Sequence, residues 1–212
     1  MALNPARSVE DKNVVVLVGG VGGAKLALGL QQIVSPERLT VIVNTGDDFW
    51  HYGLRITPDV DTVLYTLAAR VDKAQGWGLQ GDTTTVLQAL QAYGEDTWFR
   101  LGDQDIATHL LRTHMLRSGD SLTQVIVYLA RQMGVQPTVL PMTDAEVATI
   151  VDTEEYGELA FQTYFVRHRW QPTVKSLRYD GLVHAAITDA VRAAINDRSE
   201  EHTSELQSRM FI

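Results

Sequence analysis

Two short apolar runs, each broken off by an unusual polar loop, constrain this chain more than any other feature. Val14–Val18 runs into GGVGGAK at residues 19–25, and Leu39–Val43 runs into NTGDDFWHYGLRITPDVDT at residues 44–62. Runs this short, rich in β-branched residues and closed by a polar turn, read as buried parallel strands, and residues 24–33 between them read as the crossover helix. Successive glycines let a backbone approach phosphate oxygens, and the N-terminus of the following helix directs free N–H groups at the same anion. The second loop supplies four carboxylates, Asp47, Asp48, Asp59 and Asp61, beside Asn44, Thr45 and His51. Carboxylates facing a phosphate cradle call for a divalent cation between them. The expected fold is α/β, a Rossmann-like, mostly parallel sheet with flanking helices and a small antiparallel extension.

Two familiar glycine motifs do not fit. A dinucleotide fingerprint starting at Gly20 would need a third glycine where Lys25 stands. A P-loop needs Gly-Lys-Ser/Thr, whereas Ala24 precedes Lys25 and Leu26 follows it. Taken alone, the glycines are also compatible with a tight turn and close helix–strand packing.

Composition narrows the class of partner. The 212 residues suffice for one sizeable core, read as a single α/β domain over 1–197. A net charge of −8 argues against nucleic acid as a partner, since phosphate-backbone binding needs a basic face. The absence of cysteine removes disulfides, thiolate zinc sites and cysteine nucleophiles. No apolar run approaches membrane-spanning length and residues 1–11 lack a signal-type stretch, so a cytoplasmic protein with no membrane partner is expected.

Further along, residues 58–70 read as a helix with Asp59 and Asp61 in its first turn, where acids suit the helix dipole; for Asp59 a plain capping role is the alternative. Helices are expected at 83–92, closed by Gly94, and after the Trp98–Gly102 loop up to Gly119. Another runs over 121–133, with Ser121 as cap and Gly134 as stop. A strand at 138–140, an antiparallel pair at 147–152 and 158–166, a strand at 174–179 and a helix at 183–194 complete the reading. His109 and Arg112 stand one helical turn apart, and the five-residue step from His109 to His114 excludes an H-x-x-x-H metal pair, so a core-edge or surface role is expected. His168, Arg169 and Trp170 are expected at a rim.

The strings VGGVGGAKLALGL, VIVNTGDDFWHYGLRITPDVDTVLYTLA, GWGL, WFRLGDQDIATHLLRT, VLPMTD and ELAFQTYFV occur in that order between Val14 and about Gly181. Together they resemble the 2-phospho-L-lactate transferase family of deazaflavin coenzyme F-420 biosynthesis. The resemblance implies transfer of a phosphorylated three-carbon acid (phospholactate, phosphoenolpyruvate or phosphoglycerate) from a guanosine diphosphate ester to the terminal hydroxyl of the deazaflavin Fo, with release of GMP. It also implies a homodimer, and places Asp61 and Arg100 at the Fo-binding positions. Family members often carry a basic residue where this chain has Gln104. For such chemistry, Asp48 and Asp61 are the expected catalytic residues and Mg²⁺ ligands, with Asp47 as an alternative proton acceptor. Gly19, Gly20, Gly22, Gly23, Lys25 and Asn44 are expected on the donor phosphates. No covalent nucleophile is evident, which favours direct displacement.

Two other classes remain in view. A neighbouring family with a related glycine loop and paired aspartates consists of non-catalytic nucleotide-sugar-binding regulators, but it carries Gly-Gly-Ser-Ser where this chain has residues 49–52 and then PDVDT. A dinucleotide-dependent oxidoreductase is weakened by the missing third glycine. At the other end, residues 198–208 read RSEEHTSELQS, the one-frame translation of a widely used sequencing adapter. The native sequence is therefore expected to stop near Asp197, with 198–212 excluded from fold reasoning. The truncated chain is then expected to be inactive, with an exposed sheet edge or unfilled apolar face.

Overall fold

Val14–Val18 (β1) and Leu39–Val43 (β2) pair in parallel in the computed structural model, which describes residues 12–199. The register runs from Val14 opposite Leu39 to Val18 opposite Val43. Thr138–Pro141 (β5) adds in parallel on the other side of β2, giving the order β1-β2-β5. The central strand is almost wholly buried, as its unbroken apolar sequence requires. Residues 1–11 and 200–212, which hold most of the adapter-like string, lie outside the described residues.

Helix α1 (Val21–Gln31) begins at Val21, three residues earlier than expected, so Gly22 and Gly23 occupy its first turn rather than a loop. Helices α2 (Pro58–Leu67) and α5 (Leu122–Met133) join it on one sheet face. There Val60, Val63, Leu64, Val125, Ile126 and Leu129 pack with Val41 and Val43 in the main core. The other face is covered by α6 (Asp189–Asp197), whose Val191 meets Ile42 and Leu140, while Leu17 on β1 is 66% exposed. Helix α5 is capped by Ser121 as expected, in a capping box completed by Gln124, and ends on Gly134 at φ +77°. Among the described residues no helix is long and apolar enough to cross a membrane.

Helices α3 (Thr85–Ala92) and α4 (Asp103–Arg117) fix one another's N-termini. Asp103 accepts from the backbone N–H groups of Thr85 and Val86, and Asp82 accepts from those of Gln104 and Asp105. The Thr83 hydroxyl and these N–H groups hold the Asp103 carboxyl down at about 2.

Three stretches depart from the sequence reading. The Asp-rich loop contains a hairpin, Phe49–His51 (β3) with Leu54–Ile56 (β4). Its two-residue turn has Tyr52 and Gly53 both at positive φ, and the Tyr52 hydroxyl donates to the Asp96 carbonyl at 2.9 Å. The second antiparallel strand (β7, Gly157–Ala160) stops before residue 161, and Thr163–Arg167 forms a π-helical turn in which Phe161 and Phe165 stack at 5.4 Å. A strand would send these two rings to one face but farther apart; the turn brings them together. Finally, α6 starts at Asp189, where the Thr188 hydroxyl caps the N–H of Val191, so residues 182–188 are not part of it. The antiparallel extension is β7-β6-β8, with β6 (Ala148–Thr153) central and β8 (Val174–Asp180) on its other edge.

Candidate functional site

All three parallel strands deliver their C-terminal ends to one edge, where an α/β sheet binds ligands. Asn44 continues the sheet by donating its N–H to the Val18 carbonyl at 2.9 Å, which sets the glycine turn beside the Asp-rich loop. A Cβ on Gly23 would lie 2.6 Å from that of Val18, so this glycine serves helix–strand packing. A Cβ on Gly20 would lie 2.8 Å from an oxygen of Asp59, and one on Gly19 3.3 Å from the other. Gly22 faces open space. The start of α1 has no side-chain cap, leaving its first N–H groups available at Gly20 and Val21. Lys25 is exposed and lines neither cavity described below.

Asn44 braces two carboxylates. Its amide nitrogen donates to Asp59 at 2.9 Å and to Asp47 at 3.3 Å, and its oxygen accepts from the N–H of Gly46. Burial, reinforced by the Asp59 charge, pushes Asp47 up to about 6, and burial raises Asp59 as well. Among the described residues neither acid has an arginine partner.

Asp48 and Asp61 differ in this respect. Asp48 lies 3.3 Å from the Arg55 guanidinium, with both side chains at least 95% buried, and its Oδ1 has no hydrogen-bond partner. Burial holds Asp48 well above the ordinary carboxylate range, and the pull of Arg55 and Arg112 does not offset it. Asp61 Oδ1 accepts from Arg112, and its Oδ2 accepts from the Thr57 hydroxyl at 3.3 Å.

His109 and Arg112 are placed otherwise than expected. They are not at a core edge or on the surface; they are 1% and 0% exposed, and His109 lines the cavity. Asp105, His109 and Arg112 share the inward face of α4, at the i, i+4 and i+3 steps that make helical neighbours. Arg112 donates to the Arg55 carbonyl at 3.2 Å and stands 2.9 Å from His109 Nδ1. His109 Nε2 lies 3.3 Å from Asp105, which accepts from the Tyr65 hydroxyl at 2.6 Å. Burial opposes ionisation of Asp105, yet the pull of His109 and of the Tyr65 hydroxyl prevails and holds it below the ordinary range. The sequence signal was present in that spacing, but spacing identifies a shared face without saying which way the face points.

A cavity of about 480 Å³ opens between these groups. Its polar wall is Asp47, Asp59, Asp61, Asp105 and His109, and Gly20 and Val21 stand at one end. Its flat walls are Trp77, Trp98, Phe99, Phe161 and Phe165. Arg100 also lines it, with its guanidinium 5.9 Å from the Trp77 ring centre and bonded to the Gln75 side chain. A neighbouring cavity of about 430 Å³ shares Asp47, Trp98, Phe161 and Gln162, and has Asp48, His51 and Arg55 in its lining. His168, Arg169 and Trp170 line neither.

Among the described residues, Asp61, Asp105 and His109 bring possible metal-ligating atoms within 4.8 Å of one another. The Arg112 guanidinium already neutralises Asp61 there and stands 2.9 Å from His109 Nδ1, while His109 Nε2 lies 3.3 Å from Asp105 without a hydrogen bond. Asp47 and Asp59, bridged by Asn44, have no cationic partner among the described residues, although their oxygens do not form a three-ligand group of the kind made by Asp61, Asp105 and His109. Carboxylate oxygens with unrelieved negative charge are hard donors of the kind Mg²⁺ takes.

The sequence profile described as 2-phospho-L-lactate transferase CofD matches residues 14–199. The chain is 37% identical over 180 residues to the 2-phospho-L-lactate transferase of Methanosarcina mazei, an alignment that covers 85% of this chain and 59% of that one. It is 39% identical over 199 residues to the phosphoenolpyruvate transferase of Mycolicibacterium smegmatis, covering 87% and 61%. The chain thus spans about three fifths of the length of the curated relatives it matches. A UPF0052-family crystal structure from Bacillus halodurans shares the fold, with a TM-score of 0.56 at 20% identity over 88% of this chain and 56% of that one. On the profile match and these identities, the chain belongs to the 2-phospho-L-lactate transferase family.

Proposed function

We propose that the protein transfers a phospholactyl-type unit, carried as a guanosine diphosphate ester, to the terminal hydroxyl of the deazaflavin Fo. The observation that carries this reading is a single cavity in which flat aromatic walls, an uncapped helix N-terminus and a cluster of carboxylates meet. The aromatic walls take the tricyclic ring, with Arg100 at its edge. The helix N-terminus and the backbone of Gly19, Gly20 and Gly22 take the donor phosphates, with Gly23 letting α1 lie close to β1 and Asn44 bracing the acids beneath. Lys25 adds a positive charge on the same helix.

Asp61 accepts a hydrogen bond from the acceptor hydroxyl and orients it. That oxygen attacks the phosphorus bearing the three-carbon acid, the bond from this phosphorus to the bridging oxygen breaks, and GMP leaves. The hydroxyl proton passes to a carboxylate of the cluster. Asp47 and Asp59 would hold Mg²⁺, which would supply the charge neutralisation that phosphoryl-type transfer needs. Asp48 and Asp61 are the ligands expected from sequence; the pairing of Asp61 with Arg112 supports the acceptor role in this reading. The relatives carry both phospholactate and phosphoenolpyruvate names, so the reading covers the class of acid. A cytoplasmic homodimer follows from the family resemblance and is part of the same proposal.

The test is titration of this chain with fluorescent Fo, followed by incubation of the full-length gene product with Fo, the guanosine diphosphate ester and Mg²⁺ and chromatographic detection of GMP. Saturable Fo binding and Mg²⁺-dependent GMP release support the reading; a flat Fo titration rejects it.

A further inference from the structure

The cavity's inner wall is built from charges that never reach solvent. Arg112 is fully buried although an aliphatic side chain of like volume would avoid the cost of stripping water from a guanidinium. It lines neither cavity, so it meets no ligand directly. Its contacts are all on groups that do, or on the hairpin behind them: Asp61, His109 and the Arg55 carbonyl.

We propose, resting on the Fo-transfer reading above, that Arg112 and His109 are positioning residues that fix the Asp61 carboxylate toward the acceptor hydroxyl, and that His109 does so as a neutral imidazole carrying its hydrogen on Nε2. The tautomer follows from the partners. A guanidinium nitrogen has hydrogens to donate and no lone pair to offer. Arg112 Nη1 stands 2.9 Å from His109 Nδ1, so Nδ1 must present its lone pair, and a hydrogen there would set two N–H groups head to head. The ring hydrogen therefore sits on Nε2, which lies 3.3 Å from Asp105 Oδ1 outside hydrogen-bond geometry. Asp105 is held in turn by the Tyr65 hydroxyl.

The chain of contacts has a direction. Tyr65 and Asp105 set the imidazole, the imidazole sets the guanidinium, and the guanidinium sets Asp61 Oδ1, while Thr57 holds Oδ2. Asp61, which lines the cavity, is then an acceptor oriented before any ligand arrives. His109 accepts from Arg112 at Nδ1 and lines the cavity with its Nε2 turned toward Asp105, 3.3 Å away. Its function is that of a spacer between the guanidinium and the Asp105 carboxylate.

A spacer of this kind has a stand-in. Glutamine offers an amide oxygen for Arg112 and an amide N–H for Asp105, whereas leucine fills similar volume and offers neither. Fo affinity is measured by fluorescence for the wild type, His109→Gln and His109→Leu, each checked for folding by thermal melting. The expected result is a loss of at least about tenfold for His109→Leu, most of it recovered in His109→Gln. A long-range ¹H–¹⁵N correlation on the wild-type chain is expected to show a protonated Nε2 and an unprotonated Nδ1 for His109. A protonated Nδ1, a folded His109→Leu that binds Fo like the wild type, or a folded His109→Gln as weak as His109→Leu overturns the inference. A wild-type chain that binds no Fo at all rejects the functional reading instead, and the tautomer spectrum still decides the assignment of His109.

Discussion

Asp61 and Asp47 are both acids of one loop-and-helix segment, yet their surroundings give them opposite characters. Asp61 has a buried guanidinium against it and a hydroxyl on its other oxygen. Asp47 has a neighbouring carboxylate and only an amide and a threonine to offset it. Removing the charge from Asp61 leaves Arg112 buried without a counter-ion, the costliest way to break such a pair. Asp61→Asn is therefore expected to lower unfolding free energy by about 2–4 kcal/mol and Fo affinity by at least about tenfold. Urea melts and fluorescence titration check the two effects separately, and an unchanged stability would show that Arg112 has another counter-ion. Asp61 is singled out by the resemblance, which places it at an Fo-binding position. Its partner is not legible in the sequence, because Arg112 lies 51 residues away on a helix whose inward face only packing determines.

At the level of elements, the glycine turn divides into positions with different duties. Gly23 is pressed against Val18, and a methyl group there meets the Val18 side chain at 2.6 Å. Gly22 sits beside it in the same helical turn with nothing within 4 Å. Gly23→Ala is expected to destabilise by about 1–3 kcal/mol, as overpacking does, while Gly22→Ala leaves stability unchanged or raises it by up to about 1 kcal/mol. If phosphates approach the backbone at Gly22, the second variant still weakens donor binding, so equal donor affinity for Gly22→Ala and the wild type would move the phosphates away from this residue. Thermal melts and donor titration read these out. The strands and the capped helix α5 could be read in advance because their signals are local: apolar runs, Ser121 and Gly134. The β3–β4 hairpin could not, since its turn is Tyr-Gly rather than Asn-Gly and its strands are three residues each. The π-helical turn at Thr163–Arg167 escaped for a related reason: Phe161 and Phe165 are spaced for a helix, but the β-rich residues around them read as a continued strand.

For the molecule as a whole, this acidic chain gathers its least comfortable charges at the carboxyl edge of the sheet, and that sets how stability varies with pH. Asp47 is raised from 3.8 to about 6 in the folded state, so the folded protein binds more protons than the unfolded chain between those values. Its contribution to stability is greatest below about pH 4 and is lost as pH rises through about 6. Asp59 and Asp48 are raised too and act in the same sense. Asp103, held down at about 2 by its helix cap, acts in the opposite sense and at lower pH, losing its contribution only as pH falls toward 2. Between pH 5 and 8 the buried acids therefore dominate the trend. With a chelator present, Asp47→Asn is expected to gain about 1–2 kcal/mol over the wild type at pH 7.5, a figure below the full pKa displacement because the site is partly open, and to gain nothing at pH 3.5. Mg²⁺ at the same oxygens removes the repulsion by another route, so it should raise the wild-type melting temperature at pH 7.5 and raise that of Asp47→Asn less. Melting curves at both pH values, with and without Mg²⁺, separate the possibilities. A gain for Asp47→Asn that is the same at pH 3.5 and 7.5 would mean that its source is packing rather than charge, and an equal Mg²⁺ effect on both proteins would place the cation elsewhere.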